Sequence, residues 1–224
     1  MKSAVKIGWV LCIVLSFSAP SWSDQLQDSV YEIQQDSVYE IQQGWAKLNY
    51  SSEPNKEVVE GLSLLADQAN RLADENPENT ELQIWSAIVL STLANKKGGL
   101  GALGLVKQAK AKLEIALEQD PIALNGSAYA SLGVLYHKVP SWPLGFGNDG
   151  LARKNLEAAI NIDPNGLDTN FFYADFLADA KDYKGAIEHV QLSLSAPTLE
   201  NRPVADAGRR REAQALLAEL RKHI

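Results

Sequence analysis

Two stretches of this chain place alanine, leucine, alanine and proline at identical offsets: Ala109, Leu113, Ala116 and Pro121, then Ala152, Leu156, Ala159 and Pro164. Steps of 4 and 3 residues keep the first three side chains on one face of an α-helix, and the proline 5 residues later stops it, having no N–H to donate. Asn76-Pro77 and Ala196-Pro197 end two further alanine-containing helical patterns, so there are four such stops. Small inward residues let one helix lie close against another, and each stop forces the chain to turn back. The pattern is that of the closing helix of a repeated helical hairpin. Repeats of this kind stack into surfaces for binding and carry no chemistry of their own.

The four prolines are separated by 44, 43 and 33 residues. Leu62, Leu65, Ala69 and Leu72 mark the first closing helix, expected over about 56–75. Thr80 or Asn79 can cap the next, which carries Leu82, Trp85, Ile88, Val89 and Leu93 before a glycine-rich bend, Gly98 to Gly104. A helix from about Val106 to Gln119 follows. The second hairpin pairs 126–138 with 151–162 across Val139 to Gly150, a segment too dense in proline and glycine to be helical. The third pairs 169–180 with 183–195, and a last helix over about 204–223, bearing Ala213, Leu216, Leu217 and Leu220, caps the array.

The amino terminus has the three-part form of a secretory signal: Lys2 and Lys6, an apolar stretch from Ile7 to Ala19, then Ser21-Trp22-Ser23. Cleavage after Ser23 is the expectation, with an uncleaved anchor as the alternative; the apolar stretch is short for a span of ~20 residues. Cys12, the single cysteine, follows Leu11, Val10 and Trp9, no convincing lipid-attachment context. A chain beginning at Asp24 would hold no cysteine, hence neither disulfide nor thiolate zinc site, with 19 basic against 28 acidic residues, a charge of −9. That acidity speaks against nucleic-acid binding, which draws its affinity from basic groups on phosphates, and suits a periplasmic or secreted protein. Residues 27–34 and 35–42 both read QDSVYEIQ. Eight residues advance a helix about 80° past two full turns, so the copies do not keep one face. The segment 24–55 is therefore expected to be a peripheral helix.

Tyr129, Leu132, Gly133 and Tyr136 match the opening pattern of tetratricopeptide repeats, with tyrosine in place of tryptophan, and the closing helices match the alanine, leucine, alanine, proline part. In the third hairpin Tyr183, Ala186 and Val190 fit, while Ser193 replaces an alanine and Pro197 comes one residue early; in the first, Trp85 is kept but Val89 and Thr92 depart. The chain thus resembles the tetratricopeptide-repeat family over 56–197, with 1–23 as signal peptide and 198–224 as the capping end. The resemblance implies an all-α array of helical hairpins with extended loops inside the repeats. It also implies a concave surface lined by the first helix of each pair, onto which Val134, His137, Lys138, Phe171 and Asp175 would project.

Export, the repeat lengths and the segment VPSWPLGFGNDG also make the chain resemble the T-component of TRAP transporters. That resemblance implies a periplasmic solute-binding protein as partner and a cavity for hydrophobic ligands.

The loop from Pro140 to Gly150 carries Trp142, Leu144 and Phe146, large apolar side chains that a solvated loop avoids unless something covers them. They either fold back as a plug on the local core or form the lip of a groove for an apolar ligand or partner peptide. Asn148-Asp149-Gly150 reads as a turn and helix cap. Phe172, Tyr173 and Phe176 share a helical face and read as core, with Phe171 pointing elsewhere. Arg209-Arg210-Arg211 reads as a solvated run in which one or two arginines dock on acids of the third hairpin.

His137, His189 and His223 have no metal-ligand spacing, and neither a phosphate loop nor a nucleophile elbow occurs. The expectation is an exported, non-enzymatic binding protein without cofactor or metal. An adaptor for another protein leads, and a carrier of a small apolar ligand or a structural envelope subunit are the alternatives.

Overall fold

The structure, a computed structural model, describes residues 22–99 and 101–223, with side chains from Gln35 onward. The signal segment and Cys12 lie outside the described residues. The chain divides into two compact units, residues 1–35 and 36–224; the first contributes the helical backbone of residues 22–35 and the second holds the core. Every regular element among the described residues is a helix: α1 (Trp22–Asn49), α2 (Asn55–Glu75), α3 (Thr80–Lys97), α4 (Ala102–Gln119), α5 (Ala123–Lys138), α6 (Asp149–Ile162), α7 (Leu167–Asp179), α8 (Tyr183–Ser195) and α9 (Pro203–Leu220). The chain is all-α.

The prolines act as their chemistry requires. A residue before proline is pushed out of the α region, and Asn76, Asp120 and Asp163 all leave helical geometry, at φ −128°, −151° and −129°. Each donates its N–H back to the carbonyl four residues earlier, on Leu72, Ala116 and Ala159, at 3.0, 2.9 and 2.9 Å. The side chain 6 residues beyond the proline then ties in the next helix. Gln83 Nε2 donates to the carbonyl of Ala73 at 2.9 Å, and Asn170 Nδ2 to that of Pro164 at 2.9 Å. Starts are capped as well: Asn79, Asn148 and Asp182 accept from the N–H groups of Leu82, Leu151 and Gly185 at 3.0, 2.9 and 3.1 Å.

The paired offsets on α4 and α6 bury their side chains. Ala109, Leu113 and Ala116, like Ala152, Leu156 and Ala159, are no more than 1% exposed. From α2 onward each helix packs against the next, and α3, α5, α7 and α9 also touch one another in series. Two apolar clusters result, one built on α1 to α5 and one on α6 to α9, with Tyr136 packed against both. Because α3 meets α2, α4 and α5 at once, it is buried on nearly every side from Leu82 to Val89.

The structure departs from the sequence expectations in three places. The bend after α3 is shorter: Gly98 and Gly99, at φ 62° and 66°, turn the chain, and α4 already begins at Ala102. A helical Gly104 costs about 1 kcal/mol, which the packing of Leu103, Leu105 and Val106 on the core offsets. Leu124, Asn125 and Gly126 form a left-handed kink, so regular α5 geometry starts at Ser127. The second QDSVYEIQ copy is not peripheral, since Val38 and Ile41 are 6% and 0% exposed and continue in a helical stripe to Trp45.

Candidate functional site

Six of the nine helices among the described residues, α1, α3, α4, α5, α7 and α9, together with the loop after α5, wall a cavity of about 860 Å³. On α3 the lining residues include Ile88, Ser91, Thr92 and Asn95, with Ala94 beside them, and on α5 they are Ser131, Val134, Leu135 and Lys138. Ile88, Ser91, Thr92 and Asn95 on α3 and the four α5 residues each step by 3, 1 and 3, one stripe along each helix. Leu103 and Val106 of α4 and Phe172 of α7 extend the apolar wall. Trp45 completes it from α1, its indole Nε1 donating to Thr92 Oγ1 at 2.8 Å.

The loop between α5 and α6 forms one border through Val139, Pro140 and Leu144. Its stem is closed by Gly147 N donating to Pro140 O at 3.0 Å and Asn148 N to Tyr136 O at 2.8 Å. A Cβ on Gly147 would stand 1.9 Å from the Val139 carbonyl oxygen, so only glycine permits this approach. Trp142 and Leu144 are 86% and 66% exposed. Phe146 instead folds inward, edge-on to Tyr136 with ring centroids 5.8 Å apart. The loop therefore divides its apolar residues between the two expected roles: Phe146 plugs the core, and Leu144 stands at the lip of the hollow. Removing the Asn148 side chain that caps α6 at the foot of this loop should cost about 1 kcal/mol. Urea denaturation of Asn148→Ala checks this, and an unchanged midpoint would show the cap to be energetically idle.

Of the eight residues expected at a binding surface, Val134, Lys138 and Leu144 line the cavity. His137 faces a separate hollow of about 270 Å³ with Asp149, Arg153, Phe176 and Asp179. Its Nδ1 lies 3.3 Å from Asp149 Oδ1 and its Nε2 2.8 Å from Asp179 Oδ2, so both ring nitrogens meet carboxylates. Asp175 pairs with Lys138 at 2.9 Å, and Asp179 reaches the same ammonium at 2.6 Å. Partial burial works to raise Asp179, but Lys138 and His137 prevail and hold its carboxyl below the ordinary value. Phe172, not Phe171, is the aromatic of α7 that lines the hollow. Phe171 packs under Arg209, whose guanidinium carbon is 4.5 Å from its ring centre.

The carboxyl-terminal helix contributes a charged corner that the arginine run only partly foreshadowed. Arg209 is 8% exposed and lines the cavity with Glu212. Its Nε donates to Asp168 Oδ1 at 2.7 Å and its Nη1 to Glu212 Oε2 at 2.6 Å, while Arg202 also pairs with Asp168. Tyr50 donates to Glu212 at 3.3 Å; burial, reinforced by Glu212 and Asp168, pushes its phenol up to about 12. Arg210 turns the other way, pairing with Asp206 at 2.7 Å and donating to the carbonyls of Leu194 and Ala196 at 2.9 and 2.8 Å, where α8 ends. Arg211 is exposed. Docking on the third hairpin thus falls to Arg209, with Arg210 closing the end of α8.

Sequence reasoning missed Ile88, Ser91, Thr92 and Asn95 of α3 and Arg209 of α9. The signal available for α3 was its mixed stripe: Ser91, Thr92 and Asn95 are polar residues following the apolar run Ala87 to Leu90.

Apolar walls with a few convergent polar groups suit the binding of a molecule or a chain segment. Among the described residues no cluster of histidine, cysteine or carboxylates could hold a metal ion, and no helix is long and apolar enough to cross a membrane. No family model and no curated protein matches this chain.

Proposed function

We propose that this is an exported, non-enzymatic binding protein of tetratricopeptide type, whose work is done in the cavity between its first helices and the loop after α5. The repeat reading is supported by the 33-residue spacing of the last two stops, close to the ~34 residues of a tetratricopeptide repeat. The 44- and 43-residue spacings are longer by the loops inside the repeats, and the shared capping and the serial packing of α3, α5, α7 and α9 add to that support. The observation that carries the functional reading is the cavity itself. Its volume of about 860 Å³ falls within the range of roughly 300–1,000 Å³ typical of small-ligand sites. A carrier of a small apolar molecule is the occupant that size favours.

A specific observation favours the adaptor as a second reading. Trp142 is 86% exposed on a loop whose stem is closed by hydrogen bonds, and it does not line the cavity. A fixed, exposed tryptophan is a ready anchor for another protein. In that reading the partner is a periplasmic solute-binding protein of a TRAP-type transporter.

Native mass spectrometry of the protein released gently from its own cell envelope tests both readings. A carrier arrives with one small molecule, which Val134→Trp should expel by filling the hollow and Trp142→Ala should leave in place. An adaptor arrives with a stoichiometric protein that Trp142→Ala releases. An empty monomer would defeat both. The intact mass also reports whether residues 1–23 have been removed.

A further inference from the structure

Arg209 lines the hollow and keeps one donor without a protein partner. Its Nε and Nη1 are taken by Asp168 and Glu212, at 2.7 and 2.6 Å, whereas Nη2 forms no hydrogen bond with any described residue. The side chain is 8% exposed and its guanidinium carbon lies 4.4 Å from the ring centre of Phe172, which lines the same cavity. Solvent reaches Nη2 in the open hollow, but an occupant that displaces this water without supplying an acceptor would leave the donor unsatisfied, which is costly. An occupant whose apolar body lies along Ile88, Val134 and Leu144 can bring an acceptor oxygen to this end.

The surrounding charges decide what kind of oxygen. Arg202 and Arg209 face Asp168 and Glu212, two charges of each sign. Lys138, the other cation of the lining, is held by Asp175 and Asp179 at 2.9 and 2.6 Å. No positive charge is left over. A carboxylate would be desolvated on entry with no counter-charge to meet it, whereas a hydroxyl or carbonyl oxygen carries no such penalty.

We propose that the ligand is an uncharged amphiphile, an apolar chain ending in a hydroxyl or carbonyl oxygen, and that Arg209 Nη2 donates to that oxygen. The proposal rests on the small-ligand reading above. Arg209 is then the residue that sets specificity, while the walls supply affinity without discrimination.

Displacement of the fluorescent dye N-phenylnaphthylamine from the purified protein by decanol, decanoate and decane provides the test. Decanol is expected to bind about tenfold more tightly than decane, the scale of a hydrogen bond to a charged donor, and more tightly than decanoate at neutral pH. Arg209→Lys, which keeps the charge beside Asp168 but loses the fork, should bring decanol and decane to near parity while decane still binds. Should that variant fail to fold, the order of the three ligands on the unaltered protein decides alone. Equal binding of decanol and decane, or decanoate binding tightest, would overturn the role of Arg209 and leave the cavity reading intact. Failure of the dye and all three ligands to bind would overturn both.

Discussion

Replacement of Leu156 by alanine is expected to destabilise the chain by roughly 3–5 kcal/mol. Leu156 is 1% exposed, and its side chain occupies the place where Gly133 of α5 has none. A Cβ built on Gly133 would meet Leu156 Cγ at 2.7 Å and Cδ2 at 3.0 Å. Glycine and leucine are thus two halves of one contact, which lets α5 and α6 approach closely. The alanine variant leaves a void that rigid helix pairs on either side cannot close. Gly133→Ala alone should cost about 1–3 kcal/mol through overpacking. In the Leu156→Ala background it should cost much less, because both clashing side-chain atoms are gone. Urea denaturation of the four proteins measures this coupling; losses that add within about 0.5 kcal/mol would show that the two positions do not share a contact.

Loss of Asp168 is expected to be nearly as severe. Its carboxylate joins α7 to α9 by accepting from Arg209 and Arg202. Asp168 is half-buried, but Arg209 is 8% exposed, and removing the acid leaves that buried cation uncompensated at a cost of roughly 3–5 kcal/mol. Asp168→Ala at neutral pH should show that loss. Burial pushes the Asp168 carboxyl up, but Arg209 and Arg202 overcome it and hold it below its ordinary value. The folded pKa therefore lies beneath the unfolded value of about 3.9. The stabilisation from this shift is present above that value and is lost as pH falls through the folded pKa. Denaturation midpoints of the native protein and of Asp168→Asn should accordingly converge below about pH 4; a gap that stays constant into acid would mean the arginines do not favour the ionised form.

The two variants probe levels that differ in how readily they can be read from the chain. Leu156 announces itself, since its spacing to Ala152, Ala159 and Pro164 recurs at Ala109, Leu113, Ala116 and Pro121. Asp168 is one acid among 28 acidic residues, and nothing local to it indicates that Arg209, 41 residues further on, will pair with it. The cavity divides in the same way. Val134 and Lys138 follow from the concave face that the tetratricopeptide resemblance implies, and Leu144 from the improbability of an apolar loop. The exchange of Phe171 for Phe172 is a rotation of one residue about α7, which the pattern Phe171-Phe172-Tyr173 leaves open because either phenylalanine is an acceptable inward residue.

Periodicity and proline chemistry are local, acting within about one turn of a helix, and so the amino-acid order alone determined that the chain is helical, where its helices stop and which residues face inward. The cavity, the inward plug of Phe146, the buried place of the second QDSVYEIQ copy and the pairing of Arg209 with Asp168 were decided only when helices remote in the chain came together. Those outcomes depend on which surface each helix meets and on which charges lose their water there, and neither is a property of any one segment.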